Sequence, residues 1–190
     1  MSNISVGKIS IKGFDHGFVT IQQYGQEFFY NANKSANNEL LVTWKEGLNP
    51  DEEKSSQVCL INNNSMVVWT KDFRRASNCK VANNGTVAIL DLNPTDTTYN
   101  GKRTIRMNEK IIIAKNDGAI IYTIEVGYKA EIMAMGISPN GKYLAYSIQQ
   151  YKPMNYHIVL FNLETCLTEW RHEHSKDIVI HDLILTDERI

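Results

Sequence analysis

The sequence predicts an all-β protein: a β-propeller of about four four-stranded blades, forming a single domain over residues 1–190. Three observations predict it: a hairpin pattern that occurs four times, a polar turn that recurs ahead of the later hairpins, and a near absence of helix signals. The hairpins read V-T-I-Q-Q-Y-G-Q-E-F-F-Y from Val19, V-C-L-I-N-N-N-S-M-V-V-W from Val58, I-I-I-A-K-N-D-G-A-I-I-Y from Ile111 and I-V-L-F-N-L-E-T-C-L-T-E-W from Ile158. In each, an apolar strand runs into a tight polar turn and returns as a second apolar strand near a large aromatic: Tyr30, Trp69, Tyr122 and Trp170. Hairpins repeating at intervals of roughly 40–50 residues mark a ring of small sheets, none of which buries both faces alone.

The recurring turn appears as A-N-N-E-L-L-V-T-W from Ala36, A-N-N-G-T-V-A-I-L from Ala82 and S-P-N-G-K-Y-L-A-Y-S from Ser138. Asn and Gly reach the positive φ angles of tight turns at low cost. The residues that follow alternate or run apolar, as half-buried or buried strands do. Asn37, Asn83 and Asn140 stand 46 and 57 residues apart, and the longer interval is assigned an inserted loop over 91–103. Each unit thus has an entering strand, the turn, a second strand, a variable loop and the hairpin. Complete units fall at 32–76, 77–130 and 131–175. A fourth is assembled from 177–190 and 1–31, with a strand over 178–185 pairing to the N-terminal strands, which closes the ring and removes free sheet edges. The polar stretch 45–57 reads as an exposed loop.

A chain of 190 residues supports a core without staples. Hydrophobic content of 43% and charged content of 22% are those of an ordinary soluble domain. A net charge of −1 removes the electrostatic case for nucleic acid or an anionic membrane as partner. No apolar run is long enough to span a bilayer, and the N-terminus lacks the basic-then-apolar pattern of a signal peptide. Cys59, Cys79 and Cys166 are odd in number and include no C-x-x-C pair, so they read as reduced thiols and the chain as cytoplasmic. The N-x-S/T sequons at Asn3, Asn33, Asn63 and Asn84 follow from an Asn-rich composition.

The segments I-S-P-N-G-K-Y-L-A-Y-S at 137–147 and I-V-L-F-N-L-E-T at 158–165 resemble the WD-repeat-like superfamily. S-M-V-V-W-T-K-D from Ser65 is similar to a strand of PQQ-type propeller repeats. The resemblance implies a propeller and brings no catalytic residues with it. The family commonly builds more blades than the four found here, which implies closure alone, a homodimer completing a larger ring, or membership of a larger assembly.

Chemistry-bearing clusters are few. In R-H-E-H at 171–174, a strand would put His172 and His174 on one face, with His181 or Asp182 as a third metal ligand. Its place just after Trp170 reads instead as an exposed inter-blade loop, and no metal or other cofactor is expected. Nucleophile-elbow, H-E-x-x-H and Walker patterns are missing. Asp15-His16, between Gly13 and Gly17, reads as a hairpin turn, and Asn83-Asn84-Gly85 as a turn rather than a phosphate cradle. The basic runs at 71–75 and 102–106 read as parts of a mixed, solvated surface. Trp44, Trp69, Tyr122 and Trp170 read as packing between blades, with carbohydrate stacking as the functional alternative.

The partner-binding candidates are Tyr99, Tyr151, Met154 and Tyr156. They belong to the long connections 93–103 and 149–156, which with 46–56 join second to third strands and emerge on one face of the disc. Tyr and Met are enriched at interfaces, and loops on a rigid frame carry function. The function expected is a non-catalytic protein-binding module or scaffold subunit with another protein as partner. A carbohydrate- or small-ligand-binding propeller is the alternative, and an enzyme with an unrecognised site comes third.

Overall fold

The computed structural model describes residues 9–23, 25–45, 56–99, 102–127, 130–151, 154–174, 180 and 182–187; at 23, 93–99 and 102–107 it describes the backbone alone. Every regular element among them is a strand. The first sheet holds β1 (Ser10–Asp15), β2 (Phe18–Gln23), β3 (Gln26–Lys34), β4 (Leu40–Trp44), β5 (Ser56–Asn62) and β6 (Val67–Phe73). The second holds β7 (Ala76–Val81), β8 (Val87–Tyr99), β9 (Lys102–Ala114) and β10 (Ile120–Glu125). The third holds β11 (Ala130–Ile137), β12 (Tyr143–Tyr151), β13 (Met154–Asn162) and β14 (Leu167–His174). Each strand pairs antiparallel with its neighbours in sequence, so all three sheets are meanders.

The four hairpins legible in the sequence are β2–β3, β5–β6, β9–β10 and β13–β14. Leu60 pairs Trp69, Ile113 pairs Tyr122 and Leu160 pairs Trp170, and each of these three pairs adjoins a break in register. A bulge there sharpens the local twist of the strand carrying the aromatic. β3 serves two partners: its first part pairs with β2 and its last residues, Asn31 to Lys34, pair with β4.

The sheets stack face to face, because each has an apolar face that must leave water. Within the first sheet, Val19, Ile21 and Ala32 of β2 and β3 cluster with Leu41 of β4 and Ile61 of β5. The opposite face of that sheet (Val42, Leu60, Trp69) meets Cys79, Val87 and Ile89 of the second. The far face of the second sheet (Ala88, Ile111, Ile113) meets Leu144, Tyr146 and Phe161 of the third. Leu60, Ile89, Ile111 and Leu144 are fully buried, and each such side chain contributes roughly 1.5–3 kcal/mol in apolar transfer.

Successive turns bond to one another at one end of the stack. The backbone N–H of Asn37 donates to Asn83 Oδ1 at 2.9 Å. That of Asn83 donates to the Pro139 carbonyl at 2.7 Å, and that of Asn140 to the Asp187 carboxylate at 3.0 Å. Two of the turns are internally alike. Ser35 and Ser138 donate their hydroxyls to Asn37 and Asn140 Oδ1 at 2.7 and 2.8 Å. They accept the N–H groups of Leu40 and Tyr143 at 3.0 and 2.9 Å. The next residue in each, Asn38 or Gly141, takes φ of 60° or 74°; Asn tolerates the left-handed region because its short amide bonds locally.

Three sequence expectations need correction. The loop assigned to 91–103 is a continuation of β8 and β9, paired in register from Asp91↔Lys110 to Tyr99↔Lys102. Thr95, Thr97 and Thr98 on β8 and Thr104 and Ile105 on β9 are residue types that favour strand. The strand expected over 178–185 is not formed at 180 or 182–185, and 178, 179 and 181 lie outside the described residues. Leu183 and Asp182 of this segment meet β11 and β7. A side chain at Gly136 would collide with the Leu183 carbonyl, and Lys80 Nζ lies 3.2 Å from Asp182 Oδ1. The strand expected to close the ring is thus not formed at the described residues 180 and 182–185. Finally, 171–174 belong to β14 rather than to a loop, since Val159↔Arg171 and Tyr156↔His174 are ladder pairs.

Candidate partner-binding edge

β8 leaves the Asn83 turn and runs to Tyr99, and β12 leaves the Asn140 turn and runs to Tyr151. The tips of the β8–β9 and β12–β13 hairpins therefore lie at the end of the stack opposite the bonded turns. The expected long loop 149–156 is a tight hairpin tip, with Gln149↔Tyr156 and Tyr151↔Met154 as its last ladder pairs. Of the loop 46–56, only Ser56 lies within the described residues, buried at the start of β5. Tyr99 ends β8, and its side chain lies outside the described residues.

Tyr151, Met154 and Tyr156 come together. Alternation along paired strands places all three on one face of the third sheet. Tyr151 is 45% and Met154 55% exposed, while Tyr156 is half-buried with its ring centroid 5.5 Å from that of His174. An aromatic and a thioether held at the end of a continuous ladder make a presented apolar surface whose ordering cost is already met by the fold.

Beneath this tip lies a carboxylate pair that sequence reasoning missed. Tyr151 donates its hydroxyl to Glu131 Oε2. Glu109 of β9 is buried and accepts the Ile132 backbone N–H at Oε2. Burial pushes the Glu109 carboxyl up to about 7; the Ile132 hydrogen bond opposes this and the nearby Glu131 charge adds to it. The Tyr151 hydroxyl is pushed up to about 12, chiefly by its bond to Glu131. His157, next to Tyr156, lies below the usual imidazole range because of burial and then the Arg171 charge, and its Nε2 lies 3.3 Å from Gln150 Oε1. The register Asp91↔Lys110 places Glu109 one step up the same ladder. The sequence held one signal for it: Asn100-Gly101, a two-residue hairpin turn signature between the paired Tyr99 and Lys102.

The other candidates fall elsewhere. His172 stacks on Trp170 with centroids 5.5 Å apart, His174 faces Tyr156, and Asp182 pairs with Lys80. His181 lies outside the described residues, among which no group of three or more potential ligands is found. Asp15 and His16 form the exposed β1–β2 turn, with φ of 45° at His16 and 83° at Gly17. A cleft of about 310 Å³ lies between β1 and the turns after β3 and β5, lined among others by Lys12, Phe14, Lys34, Glu39 and Asn63. Lys34 Nζ sits 4.4 Å from the Phe14 ring centroid, over the one aromatic ring among the described lining residues. Among the described residues, no helix is long and apolar enough to cross a membrane.

No established protein-family profile matches the sequence, and none of the curated proteins is significantly similar to it.

Proposed function

We propose that the three meanders are consecutive blades of a WD-repeat-like β-propeller, and that the chain is a non-catalytic protein-binding module. Two regularities support the propeller. The first sheet stacks on the second and the second on the third, in chain order, and the turns at Asn37 and Asn83 each reach the next turn through a backbone N–H, as Asn140 reaches Asp187. Four-stranded meanders stacked in sequence are how propeller blades bury both faces.

One observation carries the functional reading: Tyr151 and Met154 are exposed side by side at the end of a rigid hairpin. Interface hot spots are anchors of this type, prepositioned and free to desolvate. The partner is another protein, seated across the β12–β13 tip and the β8–β9 extension that ends at Tyr99. The three free thiols accord with a cytoplasmic, scaffold-type role.

A second reading draws on the cleft beside Phe14, which would suit a small polar ligand. Affinity capture separates the two. The native chain should retain a stoichiometric protein that a Tyr151→Ala, Met154→Ala, Tyr156→Ala variant loses while keeping the native far-UV spectrum. Retention of a glycan with no protein partner, undisturbed by the triple variant, would move the function to the cleft.

A further inference from the structure

The first sheet curls on itself. Ile11, Val19 and Ile21 of β1 and β2 cluster with Leu41 of β4 and Ile61 of β5, although β3 stands between the two pairs in the strand order. Side chains so far apart in one sheet meet only where the sheet is strongly twisted and coiled. A cleft of about 310 Å³ opens beside this cluster, between β1 and the turns after β3 and β5. Cross-strand pairing puts Phe14 on the face of Val19 and Lys34 on the face of Leu41. Both residues therefore look into the curl, and their contact bridges it.

The cleft combines an apolar floor with a surplus of hydrogen-bond donors. Ile11 and Leu40 are half-buried in its wall and Leu41 is buried. Lys12 and Lys34 bring two ammonium groups, and neither pairs with a carboxylate among the described residues. The side chains of Asn38, Asn63 and Ser65 likewise make no hydrogen bond among the described residues. Asn62 Oδ1 accepts the N–H groups of Asn64 and Met66 at 3.0 Å each, which leaves its amide nitrogen to donate. Glu39, the one carboxylate of the described lining, accepts Asn37 Nδ2 at 2.9 Å. Two lysines against one glutamate give the described lining a formal charge of +1.

Two ligand classes fit this chemistry poorly. A sugar stacks on an open aromatic face, and here the Lys34 ammonium already lies over the Phe14 ring, 4.4 Å from its centroid. Inorganic phosphate would satisfy the donors and leave Ile11, Leu40 and Leu41 facing water. We propose that the cleft binds a small organic carboxylate, held by Lys12 and Lys34 at its charged end and by the apolar floor along its hydrocarbon body. An ionised carboxylate is an acceptor only, which matches the donor surplus, and its hydrogen bonds to ammonium are about twice as strong as neutral ones. The Phe14 ring restrains Lys34 beforehand, which lowers the ordering cost of binding. The volume stands at the low end of the roughly 300–1,000 Å³ of small-molecule sites, and so selects one ring or a short chain. The inference rests on the second functional reading, in which this cleft takes a small ligand, and names the class of that ligand.

The test follows the backbone amide NMR spectrum of the native chain titrated with hydrocinnamate, which carries one ring and one carboxylate. Hydrocinnamyl alcohol is the neutral control, inorganic phosphate the anion without a body, and N-acetylglucosamine the sugar. Hydrocinnamate should shift the amides of Lys12, Phe14, Lys34 and Ser65 saturably. The alcohol and phosphate should each bind at least about tenfold more weakly, since each lacks one half of the interaction. Lys12→Gln with Lys34→Gln should weaken hydrocinnamate binding to the same degree in an otherwise native spectrum, because both side chains are exposed. Lys12→Arg with Lys34→Arg should restore it. Equal binding of the alcohol or of phosphate, or a glutamine variant that binds like the native chain, would overturn the proposal. Saturable shifts at the cleft from N-acetylglucosamine and none from hydrocinnamate would overturn the carboxylate and keep the cleft as a ligand site. No shift at the cleft from any of the four probes would remove both.

Discussion

The backbone N–H of Asn140 donates to the Asp187 carboxylate at 3.0 Å, and this bond joins the turn of the third sheet to a segment that forms no strand of its own. Asn37 makes the equivalent contact, to Asn83 of the following turn. Asp187 therefore stands where a further turn belongs, held there by Lys80–Asp182 and by close approach of Leu183 to Gly136.

That close approach predicts the effect of Gly136→Val. A side chain at this position meets backbone rather than a yielding side-chain tip, so the segment 180–187 must lift away. The sheets should remain, because Gly136 lies on the face opposite the core shared with the second sheet. Limited proteolysis should cut within 180–187 much faster in the variant, with an unchanged far-UV spectrum. Equal cleavage rates would place the segment elsewhere.

Glu109 predicts a pH dependence. Its carboxyl stands at about 7 in the folded protein against an ordinary value of 4.5, so the folded state holds the proton more tightly than the unfolded chain does. The associated stability is full below about pH 4.5 and declines as pH rises through 7, by up to about 3 kcal/mol in total. Glu109→Gln should keep the acceptor for the Ile132 N–H and remove this decline. Denaturant titrations at pH 5 and pH 8 should converge for the variant and diverge for the native chain; parallel behaviour of the two proteins would refute the assignment.

Cys79 is wholly buried, and burial, with the Asp91 charge as a lesser cause, raises its thiol well above the ordinary value. It should resist alkylation in the native protein and react only on unfolding. Cys166, half-buried in the β13–β14 turn with φ of 57°, should react first. Peptide mapping after a timed iodoacetamide pulse reads the order, and early labelling of Cys79 would mean that the core between the first and second sheets opens readily.

The two like turns should respond alike. Asn140→Ala removes the acceptor for the Ser138 hydroxyl and the Lys142 N–H, and Asn37→Ala removes it for Ser35 and Glu39. Each should cost about 1 kcal/mol, the usual net value of a hydrogen bond or two at a solvent-exposed turn. Chemical denaturation measures both, and a several-fold difference between them would show that the neighbouring turns, not the internal bonds, carry the stability.

Strand and hairpin placement was legible because it is local chemistry. Alternating apolar residues select a half-buried strand, and short polar runs between them select the turn, with Ser65, Gly118 and Cys166 taking the left-handed φ, so the β5–β6, β9–β10 and β13–β14 hairpins follow from their own residues. The resulting protein is all-β, and the exposed hairpin tip at Tyr151 and Met154 was visible for the same reason. What tertiary structure alone decided is which faces meet. Trp69 and Trp170 are equivalent in their hairpins, yet one is buried and the other is not, because a second sheet covers only the first. Glu109 is a polar residue in a polar stretch, and its raised carboxyl arises only where β9 meets β11. Residues 178–185 carry a strand's pattern, but a strand needs a partner edge. Leu183 instead lies close against Gly136, a contact between positions far apart in the chain that no local preference encodes.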